Sequence, residues 1–131
     1  MNLEQAIHEH WAESTALESL LSASRLTTGQ SCTGIRPYAT LQLRTLRRRL
    51  PTNQGAALEE RGVRLSLWHD RYDEIREVAE QVRETFDGAT LVVTESDRTA
   101  RLRHAADSIK QHRDGWWQWT VDFVAKVYLL Q

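Results

Sequence analysis

Residues 117–129 have the sequence WQWTVDFVAKVYL, in which every odd position is apolar. The even positions include Gln118, Thr120, Asp122 and Lys126. This alternation, carried by β-branched and aromatic residues, predicts one long strand with a single face against a core. At ~3.3 Å per residue the strand would span about 43 Å, roughly twice the usual strand length. A strand that is long for so small a domain often extends to a partner, such as a neighbouring subunit.

The composition predicts a single globular domain over residues 1–131. Hydrophobic residues make up 40% of the chain and charged residues 27%, and the formal net charge is −1. That charge gives no overall field to attract nucleic acid or an anionic membrane. Cys32 is the only cysteine, which excludes an internal disulfide and a cysteine-based zinc site. The N-terminal sequence MNLEQAIHEH lacks the apolar stretch of a signal peptide, and no apolar run is bilayer-length, so we expect a cytoplasmic protein without a membrane partner.

The first half of the chain predicts one helix followed by a hairpin. Apolar residues at helical spacing run from Asn2 to about Ser22, and a polar loop follows at 27–34. Alternating apolar residues predict strands at 38–46 and 63–68. The turn-rich residues 51–56 lie between these strands. The two strands are therefore expected to form a long antiparallel hairpin.

The second half predicts a helix and two or three strands. Asp70 is expected to cap a helix whose apolar stripe runs over 72–86, and a short strand follows at 91–94. Residues 99–106 fit a helix or a strand. We favour a strand because the long terminal strand needs an antiparallel neighbour, and Asp114-Gly115 suits the reversal. The expected fold is α+β: an antiparallel sheet of four to five strands with two helices packed on one face, a long β-hairpin and a long C-terminal strand.

No catalytic or metal-binding motif stands out in the sequence. There is no phosphate-binding glycine loop, nucleophile elbow or zinc-protease motif. His8 and His10 point about 200° apart on a helix and cannot share one ion. His69-Asp70 is more simply a capping aspartate beside an exposed histidine than a catalytic pair, and Cys32 has no identifiable base. We therefore predict no enzyme activity, no cofactor and no metal.

A basic run is the strongest charge feature of the chain. It consists of Arg44, Arg47, Arg48 and Arg49, at the end of the first hairpin strand. The run could bind a phosphate backbone, contact a protein partner, or form ion pairs with the acidic residues at 59–60 on the partner strand. The sequence leaves these three interpretations open.

Several aromatic and apolar residues fall on the polar side of the predicted strands. Trp116, Val124 and Tyr128 share the face of the last strand that lies away from the core. Trp68 likewise alternates with the apolar residues of its own strand. Exposed aromatic residues are typical anchors of protein–protein interfaces. We therefore predict that this face binds another protein.

Taken together, the patterns resemble the small tail-completion, or tail-terminator, proteins of long-tailed bacteriophages and prophages, the class that includes the lambda minor tail protein U. The resemblance rests on a leucine-rich N-terminal helix and on four further segments. These are PYATL at 37–41, VRLSLW at 63–68, the helical pattern at 72–88 and Val-Asp-Phe at 121–123. It covers roughly residues 17–129.

The resemblance implies a non-enzymatic assembly factor. Such proteins form homo-oligomeric rings, commonly hexameric, that stop growth of the tail tube and present a surface to the head connector. The partners would be tail-tube and head-connector proteins, met in the host bacterial cytoplasm during assembly and retained in the virion tail. The terminal strand, by edge pairing, and the hairpin tip would be the contact surfaces. The implied interface residues are Trp116, Val124, Tyr128, Trp68, Arg47, Arg48, Arg49 and Gln54.

Two other functions fit the same sequence. A neck or head–tail joining protein of similar fold would show the same strand and helix patterns. A small nucleic-acid-binding module would instead use the basic run from Arg44 to Arg49. Binding to DNA that weakens steeply with salt would distinguish the second alternative, because phosphate contacts release counterions.

Overall fold

The computed structural model describes residues 2–29, 35–48, 59–93 and 98–129. Within these residues the elements are α1 (Leu3–Glu13), α2 (Thr15–Leu20), β1 (Leu26–Thr28), β2 (Tyr38–Arg48), β3 (Glu59–His69), α3 (Tyr72–Phe86), β4 (Thr90–Val93), β5 (Arg98–Gln111) and β6 (Trp117–Leu129). The expected mixed α+β class is confirmed. The described residues form six strands and three α-helices, where we expected four to five strands and two helices. Cys32 and the loop at 51–56 lie outside the described residues.

The six strands form one sheet in the order β1-β2-β3-β6-β5-β4. β1 is parallel to β2, whereas the other neighbours are antiparallel. The long strand β6 lies inside the sheet, paired with β3 on one side and with β5 on the other. Because both its edges are occupied, β6 cannot add to the sheet of another subunit, and the expected edge pairing by this strand is wrong.

The predicted hairpin of β2 and β3 and the predicted strand at 99–106 are both confirmed. Tyr38 faces Trp68 at one end of the hairpin, and the register shifts between Thr45 and Arg47. β5 continues to Gln111, five residues past the predicted end. A second register shift lies beside Ala106 in β5. The tertiary argument was correct: β5 occupies the edge of β6 that would otherwise lack hydrogen-bond partners.

The core lies between the helices and one face of the sheet. The odd-numbered residues of β3 and β6 point toward the helices, and Val63, Leu65, Val121 and Phe123 are at most 1% exposed. The largest fully buried side chains are Trp11, Phe86 and Phe123. The indole nitrogen of Trp11 donates to the Leu21 carbonyl at 2.8 Å, so this buried donor is satisfied.

The N-terminal segment forms two helices, not the single helix expected over Asn2–Ser22. Ser14 has an extended backbone (φ −80°, ψ 105°) that interrupts the helical path. Its hydroxyl accepts from the Leu17 amide at 3.3 Å and caps α2. The break lets α1 pack beside β4 while α2 packs against α3. Part of the predicted polar loop also differs, because Leu26–Thr28 forms the short parallel strand β1.

Asp70 does not cap α3 as expected. The capping position is Arg71, without a side-chain hydrogen bond, and the helix begins at Tyr72. The Asp70 carboxylate instead accepts from Arg36 Nε at 2.7 Å, because the 35–38 segment passes beside the β3–α3 junction. His69 does not pair with Asp70 either: its Nε2 lies 2.9 Å from Glu74 Oε2. Both groups hold the junction, and they do not form a catalytic pair.

Candidate interaction surface

The sheet face away from the helices carries no covering element among the described residues; we call it the open face. Because side chains alternate along a strand, the even-numbered residues of β3 and β6 lie here. A row of small hydroxyl residues crosses its middle through Thr40, Ser66 and Thr120. These three side chains are only 2–8% exposed. In the strand register, this row lies between the row of Trp68 and Gln118 and the row of Arg64 and Asp122.

Trp68 lies on the open face beside this row. Its ring stacks on Tyr38 with 5.0 Å between centroids and an interplanar angle of 17°. The two residues face each other in the β2–β3 register, so the stack is a cross-strand aromatic pair. Trp68 is half-buried by this contact, which leaves part of one ring available to a partner.

Trp116 lies one residue before β6, in the β5–β6 turn. Its ring stacks on His112 at 3.5 Å, and the Arg36 guanidinium lies 5.2 Å from the ring centroid. Arg36 also pairs with Asp70. Trp116 therefore ties the β5–β6 turn to the β3–α3 junction within one subunit, and it is half-buried before any partner binds.

Val124 and Tyr128 lie on the open face, toward the other end of β6. Val124 faces Arg103 and Gly62 in the strand register, and Tyr128 is 39% exposed. At ~3.3 Å per residue, Trp116 and Tyr128 are about 40 Å apart. The predicted interface residues therefore form two separate clusters, one at each end of the sheet.

The basic run is only partly within the described residues. Arg44 is exposed on the open face, whereas Arg49 and Gln54 lie outside the described residues. Arg47 and Arg48 belong to β2 by their backbone, opposite Glu60 and Glu59 in the register, but their side chains are not described. The cross-strand position of the acidic residues at 59–60 is confirmed.

Arg64 and Asp122 form an ion pair at the centre of the open face. Arg64 Nε lies 2.9 Å from Asp122 Oδ1, across the β3–β6 register. The hydrogen bond from Arg64 and the negative charge of Asp122 together raise the pKa of the guanidinium above its ordinary value. This pair lies one row away from Ser66 and Thr120 on the same face. Its charges are already satisfied within the subunit.

A polar network on the other side of the sheet attaches β5 to α3. The Asp107 carboxylate accepts hydrogen bonds from Arg83, His104 and Trp119 Nε1. Burial by itself would raise the pKa of Asp107. The hydrogen bonds of His104 and Trp119 and the charges of Arg83 and His104 outweigh burial, and the pKa of Asp107 is lowered. This network is structural, since its hydrogen bonds join neighbouring elements.

The sequence patterns did not identify six exposed large apolar side chains as surface residues. The exposed fractions are 84% for Ile35, 49% for Val92, 43% for Tyr72, 43% for Ile109, 41% for Leu46 and 37% for Leu20. Tyr72 keeps the helical phase of the buried positions in α3, so periodicity assigns it to the core. Ile109 is out of phase with the buried Ala100 and Leu102, and the register shift between His104 and Ala106 places it opposite Trp119.

Charged residues are segregated between the helices and the strands. The three α-helices contain nine acidic and two basic residues, whereas the strands contain ten basic and four acidic residues. Among the strand cations, Arg61 and Arg98 fall on the helix side of the sheet, whereas Arg44, Arg101, Arg103 and Lys126 fall on the open face. The open face is therefore the more basic side and the helical layer the more acidic one, although the net charge is only −1. This separation cannot be read from the total charge.

The described residues contain no group of three or more histidine, cysteine, aspartate or glutamate side chains arranged to hold a metal ion. His8 contacts the Thr28 hydroxyl, and His10 Nε2 lies 2.8 Å from the Thr85 carbonyl oxygen, so the two imidazoles have separate partners. No helix in this part of the chain is long and apolar enough to cross a bilayer.

Comparison with known proteins identifies the family. The family model described as tail completion protein gp17 matches residues 5–128. The chain belongs to the tail completion protein gp17 family. The resemblance seen in the sequence is thereby confirmed, and this tail completion protein has a structural role in phage tail assembly. Among curated proteins, no sequence matches the chain.

The fold of this tail completion protein also matches a solved structure. A chain in "Virion of native gene transfer agent (GTA) particle" superimposes with a TM-score of 0.79. The alignment covers 97% of this chain and 95% of the other, at 15% sequence identity. At this identity the match establishes a shared fold over nearly the whole of both chains.

Proposed function

We propose that this tail completion protein forms a closed ring that terminates the tail tube and joins it to the head connector, without catalytic activity or a cofactor. The family match over residues 5–128 carries the proposal. The virion-particle chain with the same fold is consistent with a place in an assembled particle. A ring of six subunits, assembled in the host bacterial cytoplasm and kept in the virion tail, is the form we propose for a phage or prophage product.

A closed ring requires two different surfaces on each subunit, because each copy contacts the next through unlike patches. β6 is excluded as a free edge by its pairing on both sides. The surfaces left include the open face, the helical side, the ends of the hairpin and the outer edge of β5 beyond its pairing with β4. We propose that the contact residues toward other subunits or the partner proteins are Trp116, Val124, Tyr128, Trp68, Arg47, Arg48, Arg49 and Gln54.

The proposal is tested by deleting the gene in a strain that produces the particle and measuring tail lengths by electron microscopy. If the protein caps the tube, its loss leaves polymerisation unstopped, and we expect tubes much longer than normal together with tailless heads. Tubes of normal length that stay attached to heads would overturn the proposal. Tubes of normal length that are not attached to heads would identify a neck or head–tail joining protein instead.

The two clusters of proposed interface residues are tested by different variants, because Tyr128 is exposed whereas Trp116 also makes contacts within its own subunit. Tyr128 is exposed, so Tyr128→Glu is expected to reduce the oligomer seen by light scattering while the fold stays intact. Trp116 stacks within its own subunit, so Trp116→Ala is expected to lower the unfolding temperature as well. A Tyr128→Glu variant that elutes like the parent would remove this residue from the interface.

A further inference from the structure

Exposed acidic residues form a line along α3. We call Asp73, Glu77, Glu80 and Glu84 the acidic stripe; they occur at intervals of four, three and four residues and share one face of the helix. The stripe lies opposite the buried face that contains Ile75 and is about 17 Å long. Glu80 pairs with Arg76 at 3.2 Å, whereas the other three carboxylates form no ion pair within the described residues.

Exposed cations cluster on the open face, on the opposite side of the molecule. We call Arg44, Arg101, Arg103 and Lys126 the basic patch. Arg101 faces Lys126 directly across β5 and β6, and none of the four forms an ion pair in the part of the chain that the structure describes. Like charges directly opposite each other on a sheet are destabilising. The patch therefore costs folding stability, which is expected where a surface serves binding.

The dimensions of the two surfaces match. Arg44 and Arg103 lie on one row of the register across β2, β3, β6 and β5. Three strand spacings separate them, which is about 14 Å and close to the length of the acidic stripe. Between them, the side chains of Arg44 and Leu46 fill the space above Gly62, and Val124 is half-buried. Arg44 therefore lies along this row, toward Val124 and Arg103.

We propose that the acidic stripe of one copy docks on the basic patch of the next copy. This inference rests on the proposed ring and specifies its subunit contact. The two surfaces lie on opposite sides of one chain, so the contact is head-to-tail, as a closed ring requires. Opposite charges over matched lengths set the register between copies and disfavour contacts between like faces.

A second copy explains more of the surface than a nucleic acid does. A phosphate backbone would account for the basic patch, but it would leave the acidic stripe without a role. The same chain supplies both surfaces, each with several charges that have no partner inside the described part of the subunit. A single type of contact between copies would pair the carboxylates of the acidic stripe with the cations of the basic patch.

Charge reversal tests the contact. The sheet variant carries Arg101→Glu and Arg103→Glu, and the helix variant carries Glu77→Arg and Glu84→Arg. All four side chains are exposed, so circular dichroism and thermal unfolding should show both variants folded. The control carries Lys110→Glu and Arg113→Glu, the same charge change at the β5–β6 turn. Self-association is measured by sedimentation in low salt, up to millimolar concentration.

We expect each reversal alone to weaken self-association by about tenfold or more, with the control unchanged. An equimolar mixture of the sheet and helix variants should associate again, in alternating order, because every contact then joins opposite charges. If the wild-type chain associates and both variants associate equally well, the contact is overturned while the ring proposal stands.

Two further outcomes also overturn the contact. One is a wild-type chain that stays monomeric throughout, and the tail-length measurement then decides the proposed function independently. The other is a sheet variant that keeps self-association but loses salt-sensitive binding to a DNA duplex. That result would assign the basic patch to nucleic acid.

Discussion

The Asp107 carboxylate links three elements, α3, β5 and β6, through hydrogen bonds. It accepts hydrogen bonds from Arg83 on α3, and from His104 and Trp119 on two adjacent strands. β4 ends opposite Arg98, and its register with β5 covers only 98–101, so the rest of β5 has no strand on its outer side among the described residues. The Asp107 network is therefore the main polar attachment of the second half of β5 to the helical layer.

We predict that Asp107→Asn lowers the free energy of unfolding at neutral pH by roughly 1–3 kcal/mol, since Arg83 and His104 lose a charged acceptor. The folded state lowers the pKa of Asp107, so its stabilisation is present above the pKa of the unfolded chain and is lost as pH falls through the folded pKa. Urea unfolding at neutral pH and in acid should show the difference between wild type and variant shrinking in acid. Asp114→Asn, in the exposed turn, is the control. A difference that does not shrink as the pH falls below the ordinary aspartate pKa of about 3.9 would contradict this role.

Some residue contacts could not be predicted from the sequence, because their partners are distant in the chain. Asp70 is a good helix cap by its type and position, yet it pairs with Arg36, which precedes it by 34 residues. Trp116 alternates with the polar side of β6, yet it stacks on His112 in the turn. Local preference identifies candidates, and the tertiary path of the chain determines which of their contacts form.

At the scale of elements, hydrophobic periodicity predicted the type and position of the strands and helices in which it is sustained over many residues. β3, α3 and β6 carry sustained alternation or helical spacing, and their predicted positions were nearly correct. β5 has mixed propensity and required the argument that β6 needs a neighbour. β1 has only three residues and pairs with β2 in parallel, so no local pattern marks it. The position of β6 within the sheet also depends on strand order, which a hydrophobic pattern does not specify.

The β5–β6 turn gives a prediction for a single element. Gly115 has φ +91°, and a Cβ added there would meet no atom within 4 Å. The cost of Gly115→Ala is therefore conformational only, and we expect about 1–2 kcal/mol of lost stability. Gly115→Asn should cost less, because asparagine tolerates positive φ better. Equal stability of the alanine variant and the parent in denaturant titration would contradict this conformation of the turn.

Amide hydrogen exchange tests the sheet order directly. β6 is hydrogen-bonded on both sides, so its amides should exchange slowest, by global unfolding. The outer amides of β5 beyond Ala106 face no strand in the described structure and should exchange faster than their neighbours that bond to β6. Uniform protection along both edges of β5 in the isolated subunit would mean that another segment pairs there.

At the scale of the whole molecule, the separation of charge has a consequence that neither net charge nor any single element shows. The nine acidic residues of the helices lie on one side of the sheet, and the cations Arg44, Arg101, Arg103 and Lys126 lie on the other, so the two sides of the subunit differ electrostatically. Two such subunits attract each other when the acidic side of one faces the basic side of the other, and they repel each other when like sides meet. Complementary sides thus favour an ordered head-to-tail assembly over unordered aggregation.

The salt dependence of self-association distinguishes a contact between charged surfaces from a contact between apolar surfaces. Screening shortens the Debye length from about 8 Å at physiological ionic strength to about 3 Å in 1 M salt. We therefore expect sodium chloride to weaken self-association steadily, measured as the dissociation constant in sedimentation equilibrium. An interface held mainly by Tyr128 and Val124 would instead strengthen with sulfate, because such salts favour apolar burial. If association is unchanged in sodium chloride and stronger in sulfate, the apolar end of β6 forms the subunit contact and the charged surfaces do not.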